Sequence, residues 1–302
     1  MYQNESDNYA TNPSVTSTPV TNPSAKCLGK NTPVLMYDGS IKLAYDIKIN
    51  DQLMGDDSTP RNVLNIHTGS DIMFRVYTGD TGEYYTTSSN HSLCLRIRGD
   101  EKQVIHMTSR EFHMFENIQE AEAEAEAEED VVPSDEIVGY RVPVEFPEKE
   151  FDDFPYAYGK TLDFENTYPH GIHEEYKYNS QQYRIELLKG VGQTNGFEFI
   201  VPYQIGNIQT RMKNIPQNKW VQIPYIKCSH LRSDIIFIIC SLGYALDKPV
   251  SIGRPIEFSL KNMIYKIRTE ERKKDDYYGI ETDGNRRFLL GDFSVVHSQI
   301  TC

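Results

Sequence analysis

Cys27, His91 and His297 are the side chains in this 302-residue chain whose types and placement suit nucleophilic chemistry. A thiol attacks carbonyl carbon once it gives up its proton, and an imidazole carries protons near neutral pH. Singly, each has an ordinary structural reading. One cysteine among five is most often a small inert hydrophobe, and a lone histidine is often a surface residue. Their arrangement changes that reading. Cys27 stands where a polar lead gives way to strand-like sequence. His91 ends a strand-like run in Ser88-Ser89-Asn90-His91, and His297 closes the last such run.

The elements that must position them can be read in outline. Residues 1–26 read as a disordered polar lead, with Asn12-Pro13, Thr18-Pro19 and Asn22-Pro23 recurring and little apolar material to pack. From Cys27 to about Arg98, short apolar runs such as Pro33-Val34-Leu35-Met36-Tyr37 and Arg61-Asn62-Val63-Leu64-Asn65-Ile66 alternate with turn signals such as Asp38-Gly39 and Gly55-Asp56. Short strands at that spacing predict an all-β unit. Residues 120–130 form an acidic Ala/Glu tract, read as a solvated loop or helix face, with an interaction tail as the lesser alternative. Apolar spacing predicts helices over residues 180–191 and 230–242, and β texture returns over 254–296. The first helix should bury Ile185, Leu188 and Val191. A β pattern at both ends with a helical stretch between predicts one β domain interrupted by an insert.

Composition removes several classes of function. Lys and Arg total 31 against 44 Asp and Glu, a formal net charge of −13 that disfavours general polyanion binding. The strongest apolar run, Ile235-Ile236-Phe237-Ile238-Ile239-Cys240, falls far short of the roughly 20 residues of a bilayer span. Residues 1–26 lack the charged start and apolar core of a signal peptide. Cys27, Cys94, Cys228, Cys240 and Cys302 are odd in number and contain no CxxC pair, so neither a zinc ribbon nor a disulfide framework is expected. The expectation is a chain in a reducing compartment, cytoplasmic or nuclear and not secreted, using no cofactor and no metal.

Four ordered motifs give the chain a family resemblance. Cys27-Leu28-Gly29-Lys30-Asn31-Thr32-Pro33-Val34-Leu35-Met36-Tyr37-Asp38-Gly39 resembles the opening motif of inteins, the protein-splicing members of the Hint superfamily. Ile47-Lys48-Ile49-Asn50-Asp51-Gln52-Leu53-Met54-Gly55-Asp56-Asp57 resembles their next stretch, and Ser88-Ser89-Asn90-His91 their T-x-x-H. Asn285-Arg286-Arg287-Phe288-Leu289-Leu290-Gly291-Asp292-Phe293-Ser294-Val295-Val296-His297 is similar to their closing N-H-R-F-L-L-G-D-F-T-V-x-H. The resemblance covers about residues 27–110 and 254–298.

It implies a mainly β, horseshoe-shaped Hint domain and an autoprocessing role on the chain's own flanks. Cys27 would attack the carbonyl of the Lys26–Cys27 peptide bond to make a thioester. His91 would protonate the departing nitrogen, and Ser88, in place of the family's threonine, would orient the scissile peptide. At the other end inteins close on His-Asn followed by Cys, Ser or Thr. Here His297 is followed by Ser298, which cannot cyclise, and then by Gln299, which could form a six-membered imide but precedes the non-nucleophile Ile300. Arg286 also stands where many inteins carry a helper histidine. N-terminal chemistry is therefore expected, and completion of C-terminal cleavage is doubtful.

The middle of the chain resembles an eroded LAGLIDADG homing endonuclease, as a small α+β insert. Pro155-Tyr156-Ala157-Tyr158-Gly159-Lys160-Thr161-Leu162-Asp163 resembles a first motif, and residues 179–196 a second. The acids that would hold divalent metal in the second read Gln193 and Asn195, and an amide brings oxygen without charge. The expected organisation is a flank over 1–26, Hint parts over 27–146 and 254–298, an insert over 147–253 and a flank over 299–302. The alternatives to autoprocessing are a DNA endonuclease on a Hint scaffold and a relic whose fold outlives its chemistry. The expected partner is the chain's own flanks, with no membrane and no nucleic acid unless the insert still binds DNA.

Overall fold

The computed structural model describes residues 27–125, 137–150, 154–199, 220–259 and 263–298. The expected polar lead, residues 126–130 of the acidic tract and the flank from Gln299 lie outside the described residues. The strands are β1 (Leu28–Gly29), β2 (Pro33–Leu35), β3 (Ile41–Leu43), β4 (Gln52–Met54), β5 (Pro60–Thr78), β6 (Tyr84–Ser88), β7 (Ser92–Ile97) and β8 (Asp100–Thr108). They continue with β9 (Ile137–Tyr140), β10 (Trp220–Ile223), β11 (Ala245–Leu246), β12 (Ile256–Ser259), β13 (Ile264–Thr282), β14 (Arg287–Leu289) and β15 (Val295–His297). The helices are α1 (Ser109–Ala125), α2 (Pro155–Gly159), α3 (Glu174–Lys177), α4 (Gln181–Asn195) and α5 (Ser229–Ser241).

The two ends of the chain share one antiparallel sheet, ordered β14-β15-β7-β9-β13-β1-β6-β5-β4 with β8 beside β7. Its spine is the pairing of β5 with β13, which runs from Ile267 opposite Thr78 to Thr282 opposite Val63. Alternation drives each strand's inner face into a common core of Leu28, Val34, Leu53, Val76, Leu93, Phe288 and Val296, contributed from both ends of the sequence. Each such side chain stabilises the fold by about 1.5–3 kcal/mol when fully buried. The chain therefore leaves this sheet through its helical middle and returns to it, which brings Leu28 beside Tyr278.

The middle residues have a core of their own, built by Leu187, Leu188, Val191, Ile223, Leu231, Ile235, Ile238 and Phe258. Helix α4 buries Ile185, Leu188 and Val191 as its spacing predicts. Ser180 caps its start, accepting the Tyr183 N–H at 3.4 Å, and Gly196 ends it in the left-handed region at φ 73°. The helix runs one turn past the expected Val191. Gln193 and Thr194 in that turn are not buried, so apolar periodicity stops before the helix does. Gly159 and Gly190 let α2 and α4 touch backbone to backbone, since a Cβ at either would overlap main-chain atoms of the other helix.

Candidate active site

Cys27 is held at the edge of β1 by strands on both sides. Leu28 pairs with Tyr278 of β13 and with Thr87 of β6. Gly29 permits that approach, because a Cβ there would overlap the Thr86 side chain. The Cys27 N–H donates to Ser88 Oγ at 3.1 Å, and the Ser88 N–H donates to the Cys27 carbonyl at 2.9 Å. Both residues are fully buried. The serine thus grips the backbone on the leaving-nitrogen side of the Lys26–Cys27 bond, where the sequence analysis expects an orienting hydroxyl.

At the end of β6 the chain reverses in a tight turn, the His91 N–H donating to the Ser88 carbonyl at 3.1 Å. The start of α1 closes over this turn. The Ser109 N–H donates to the His91 carbonyl at 2.9 Å and the Arg110 N–H to the Ser89 carbonyl at 3.0 Å. The first N–H groups of a helix have no partner inside it, so the turn's carbonyls and the helix start satisfy each other. Thr108 and Glu111 complete a capping box, with the Thr108 N–H donating to Glu111 Oε2 at 2.8 Å and the Glu111 N–H to Thr108 Oγ1 at 3.1 Å. His91, 1% exposed, is thereby fixed in the same buried turn as Ser88.

Electrostatics around the thiol are those of a protonated sulfur. Burial, and then the negative charge of Asp71, push the Cys27 thiol well above its ordinary range. The Tyr277 hydroxyl beside it is raised by burial first, then by Cys27 and Asp71. A neutral thiol suits an acyl shift from nitrogen to sulfur. The proton leaving sulfur equals the proton the departing nitrogen must gain, so no net charge has to be stabilised in the buried pocket.

The C-terminal residues reach this region through β7. Val296 of β15 pairs with Leu93, two residues after His91. His297 Nδ1 donates to the Ser298 carbonyl oxygen at 2.6 Å, a contact that polarises the peptide after Ser298. The Ser298 N–H donates to the Arg286 carbonyl at 2.7 Å, and Arg286 takes φ 61° while its side chain is exposed. Arg286 thus holds the segment after β15 through its backbone.

Sequence reasoning missed two neighbours. His106 of β8 packs its ring edge-to-face on His297, centroids 5.2 Å apart, with its Nδ1 3.4 Å from Ser92 Oγ. Asp71 of β5 accepts the Ser89 N–H at 3.1 Å and the Ser89 hydroxyl at 2.6 Å. The available signal for His106 was the hairpin around Gly99, which sets Cys94 opposite it. Asp71 had none. The structure therefore ties Cys27 to Ser88, sets His91 in the buried turn that Ser88 opens and puts His297 on an adjoining strand, while Gln299 lies outside the described residues.

The amides at the end of α4 have other duties. Asn195 Oδ1 accepts the Phe164 N–H at 2.8 Å, and its Nδ2 donates to the carbonyls of Leu162 at 2.7 Å and Val191 at 2.8 Å. Gln193 Oε1 accepts the Tyr156 hydroxyl. Among the described residues, no three His, Cys, Asp or Glu side chains stand close enough to hold a metal ion, and no helix is long and apolar enough to cross a membrane.

The sequence matches the family model described as Hom_end-associated Hint over residues 27–297. It is 32% identical over 85 residues, 25% of this chain, to the catalytic subunit of the V-type proton ATPase of Candida tropicalis; the matched part spans about 8% of that protein's length. Among solved structures it is similar to the gp41-1 intein, at 11% identity and a TM-score of 0.35 over 90% of this chain and 98% of that one. It is also similar to a DnaB intein from Synechocystis, at 7% identity and a TM-score of 0.33 over 91% and 99% of the two chains.

Proposed function

The chain belongs to the Hom_end-associated Hint family, a mainly β autoprocessing element of the intein type that acts within its own host chain, and on that premise we propose that Cys27, Ser88 and His91 convert the Lys26–Cys27 peptide bond into a thioester. The Cys27 sulfur attacks the Lys26 carbonyl carbon; the S–C bond forms, the C–N bond breaks, and the thiol proton is replaced on the freed amino group. An amide releases nitrogen only if that nitrogen is protonated as it leaves, and His91 donates there as general acid, recovering its proton from the thiol. Ser88 holds the Cys27 N–H and so fixes the peptide's orientation during attack.

The observation that carries this reading is the pair of hydrogen bonds between Cys27 and Ser88, at 3.1 and 2.9 Å, in a buried turn that also contains His91. At the C-terminal side, His297 polarises the Ser298 carbonyl, which supports a role in activating that junction. Ser298 cannot cyclise, and Gln299, whose amide could close only a six-membered imide, precedes the non-nucleophile Ile300, so the bonds after Ser298 and Gln299 stay largely uncut. The chemistry requires a reduced Cys27, which fits a cytoplasmic or nuclear setting. The test is thiol interception: dithiothreitol should cleave a thioester at Lys26–Cys27, and Cys27→Ala should not respond.

The insert over residues 147–253 is, on this reading, a degenerate LAGLIDADG-type endonuclease without DNA partners. The contact of α2 with α4 through Gly159 and Gly190 supports the kinship. The use of Asn195 as a backbone clamp supports the loss of activity.

A further inference from the structure

Asp71 lies at one point of the long β5 strand where two observations meet. On one side its Oδ2 accepts both the N–H and the hydroxyl of Ser89, at 3.1 and 2.6 Å. Ser89 is the residue after Ser88 and lies inside the turn that ends at His91. On the other side Asp71 borders the sulfur pocket. Met73, two residues on along the same face of β5, lines that pocket with Tyr277 and stands opposite Ser88 in the β5–β6 register. Gly69, two residues back on that face, has no side chain, and the Tyr277 ring occupies the space. The face Gly69, Asp71, Met73 thus forms a floor under Cys27, with a single carboxylate in it.

We propose that Asp71 is the positioning residue of the nucleophile turn: by taking both donors of Ser89 it locks the 88–91 reversal, and so sets Ser88 on the Cys27 N–H and His91 beside the bond to be broken. This rests on the reading of Cys27, Ser88 and His91 given above. A carboxylate is suited to the task because it accepts two hydrogen bonds at one oxygen, and charge-assisted bonds of this kind are shorter and stronger than neutral ones. A second consequence follows from the charge. The ionisable groups bordering the Cys27 sulfur are Asp71 from β5 and Tyr277 from β13; Asp275, opposite Asp71 on β13, is exposed. Asp71 is the anion among them, and it favours the protonated thiol. One side chain therefore holds the geometry of attack and delays ionisation of the attacker.

Substitutions in the full chain separate the two roles. Asp71→Asn retains an oxygen for Ser89 and removes the charge. Ser89→Ala retains the charge and removes the hydroxyl bond. Asp71→Ala removes both. Dithiothreitol-dependent release of residues 1–26 should slow about 10- to 100-fold in Asp71→Ala, the scale of a small misplacement at a reacting centre, and be largely rescued in Asp71→Asn. The pH midpoint of release should move down in Asp71→Asn and stay put in Ser89→Ala. Hydrogen exchange at the amides of residues 88–91 should speed up in Asp71→Ala and remain slow in Asp71→Asn. Wild-type release in Asp71→Ala, or an unmoved pH midpoint in Asp71→Asn, would overturn the proposal. If the unsubstituted chain releases nothing, the thioester reading fails on its own, and the exchange arm still judges Asp71: unchanged exchange in Asp71→Ala rejects the lock.

Discussion

Among the described residues, the polar side chains around Cys27 and those at the end of α4 stand where the sequence pointed to chemistry, and their hydrogen bonds end in different places. Around Cys27, the Ser88 hydroxyl and N–H engage the Cys27 backbone, and the start of α1 braces the turn from Ser88 to His91, all of it buried. At the end of α4, the Asn195 amide bonds to the backbone of its own neighbourhood, at Phe164, Leu162 and Val191. The first arrangement holds the backbone of Cys27 from both its N–H and its carbonyl. The second closes a loop onto a helix. Polar residues in a cluster say little until it is known where their hydrogen bonds end.

The sharpest way to break this contrast is to remove the nucleophile. Cys27→Ala should abolish thiol-dependent release entirely while leaving the fold intact, as read by intact mass and circular dichroism. His91→Ala should slow release by about 10²–10⁴-fold, the worth of a positioned general acid; release at the native rate would mean that another group protonates the nitrogen.

At the end of α4, Asn195→Asp should destabilise the protein by about 1–3 kcal/mol in denaturant titration, because a carboxylate has no N–H to give the Leu162 and Val191 carbonyls. The combination of Gln193→Asp with Asn195→Asp should still leave duplex DNA uncut with magnesium or manganese. Site-specific cutting by the native chain would reverse the comparison.

A smaller effect concerns pH. The folded Cys27 thiol sits above its unfolded value, so its contribution to stability is fully present below the unfolded thiol pKa and is lost as pH rises above it. Stability should therefore decline from about pH 8.5 upward, and less steeply in Cys27→Ala. Release by dithiothreitol should instead quicken with rising pH over the same range.

Much of the nucleophile side was legible in the sequence because it depends on local order. Cys27 opens the strand-like texture, Ser88 and His91 are three residues apart, and α4 carries its cap, its apolar face and its terminating Gly196 in one segment. The capping box at Thr108 and Glu111 was equally local, but its value lay in what it caps, a turn contributed by residues 88–91. Asp71 was not legible, and His106 only through the hairpin at Gly99, for a different reason. Their positions follow from the register of β5 against β6 and of β7 against β8, and a slip of one residue would turn each to the other face. Asn195 stands between these cases: its loss of charge was visible, its role as a clamp was not.

The buried site around Cys27 is expected to make a thioester at its own upstream bond. The most direct measurement is the intact mass of the freshly purified chain with and without dithiothreitol between pH 6 and 9. We expect loss of residues 1–26 in the treated sample alone, a remaining species beginning at Cys27, and no cut after Ser298 or Gln299. An unchanged mass at every pH, or an untreated product joining Lys26 to a residue beyond His297, would contradict it.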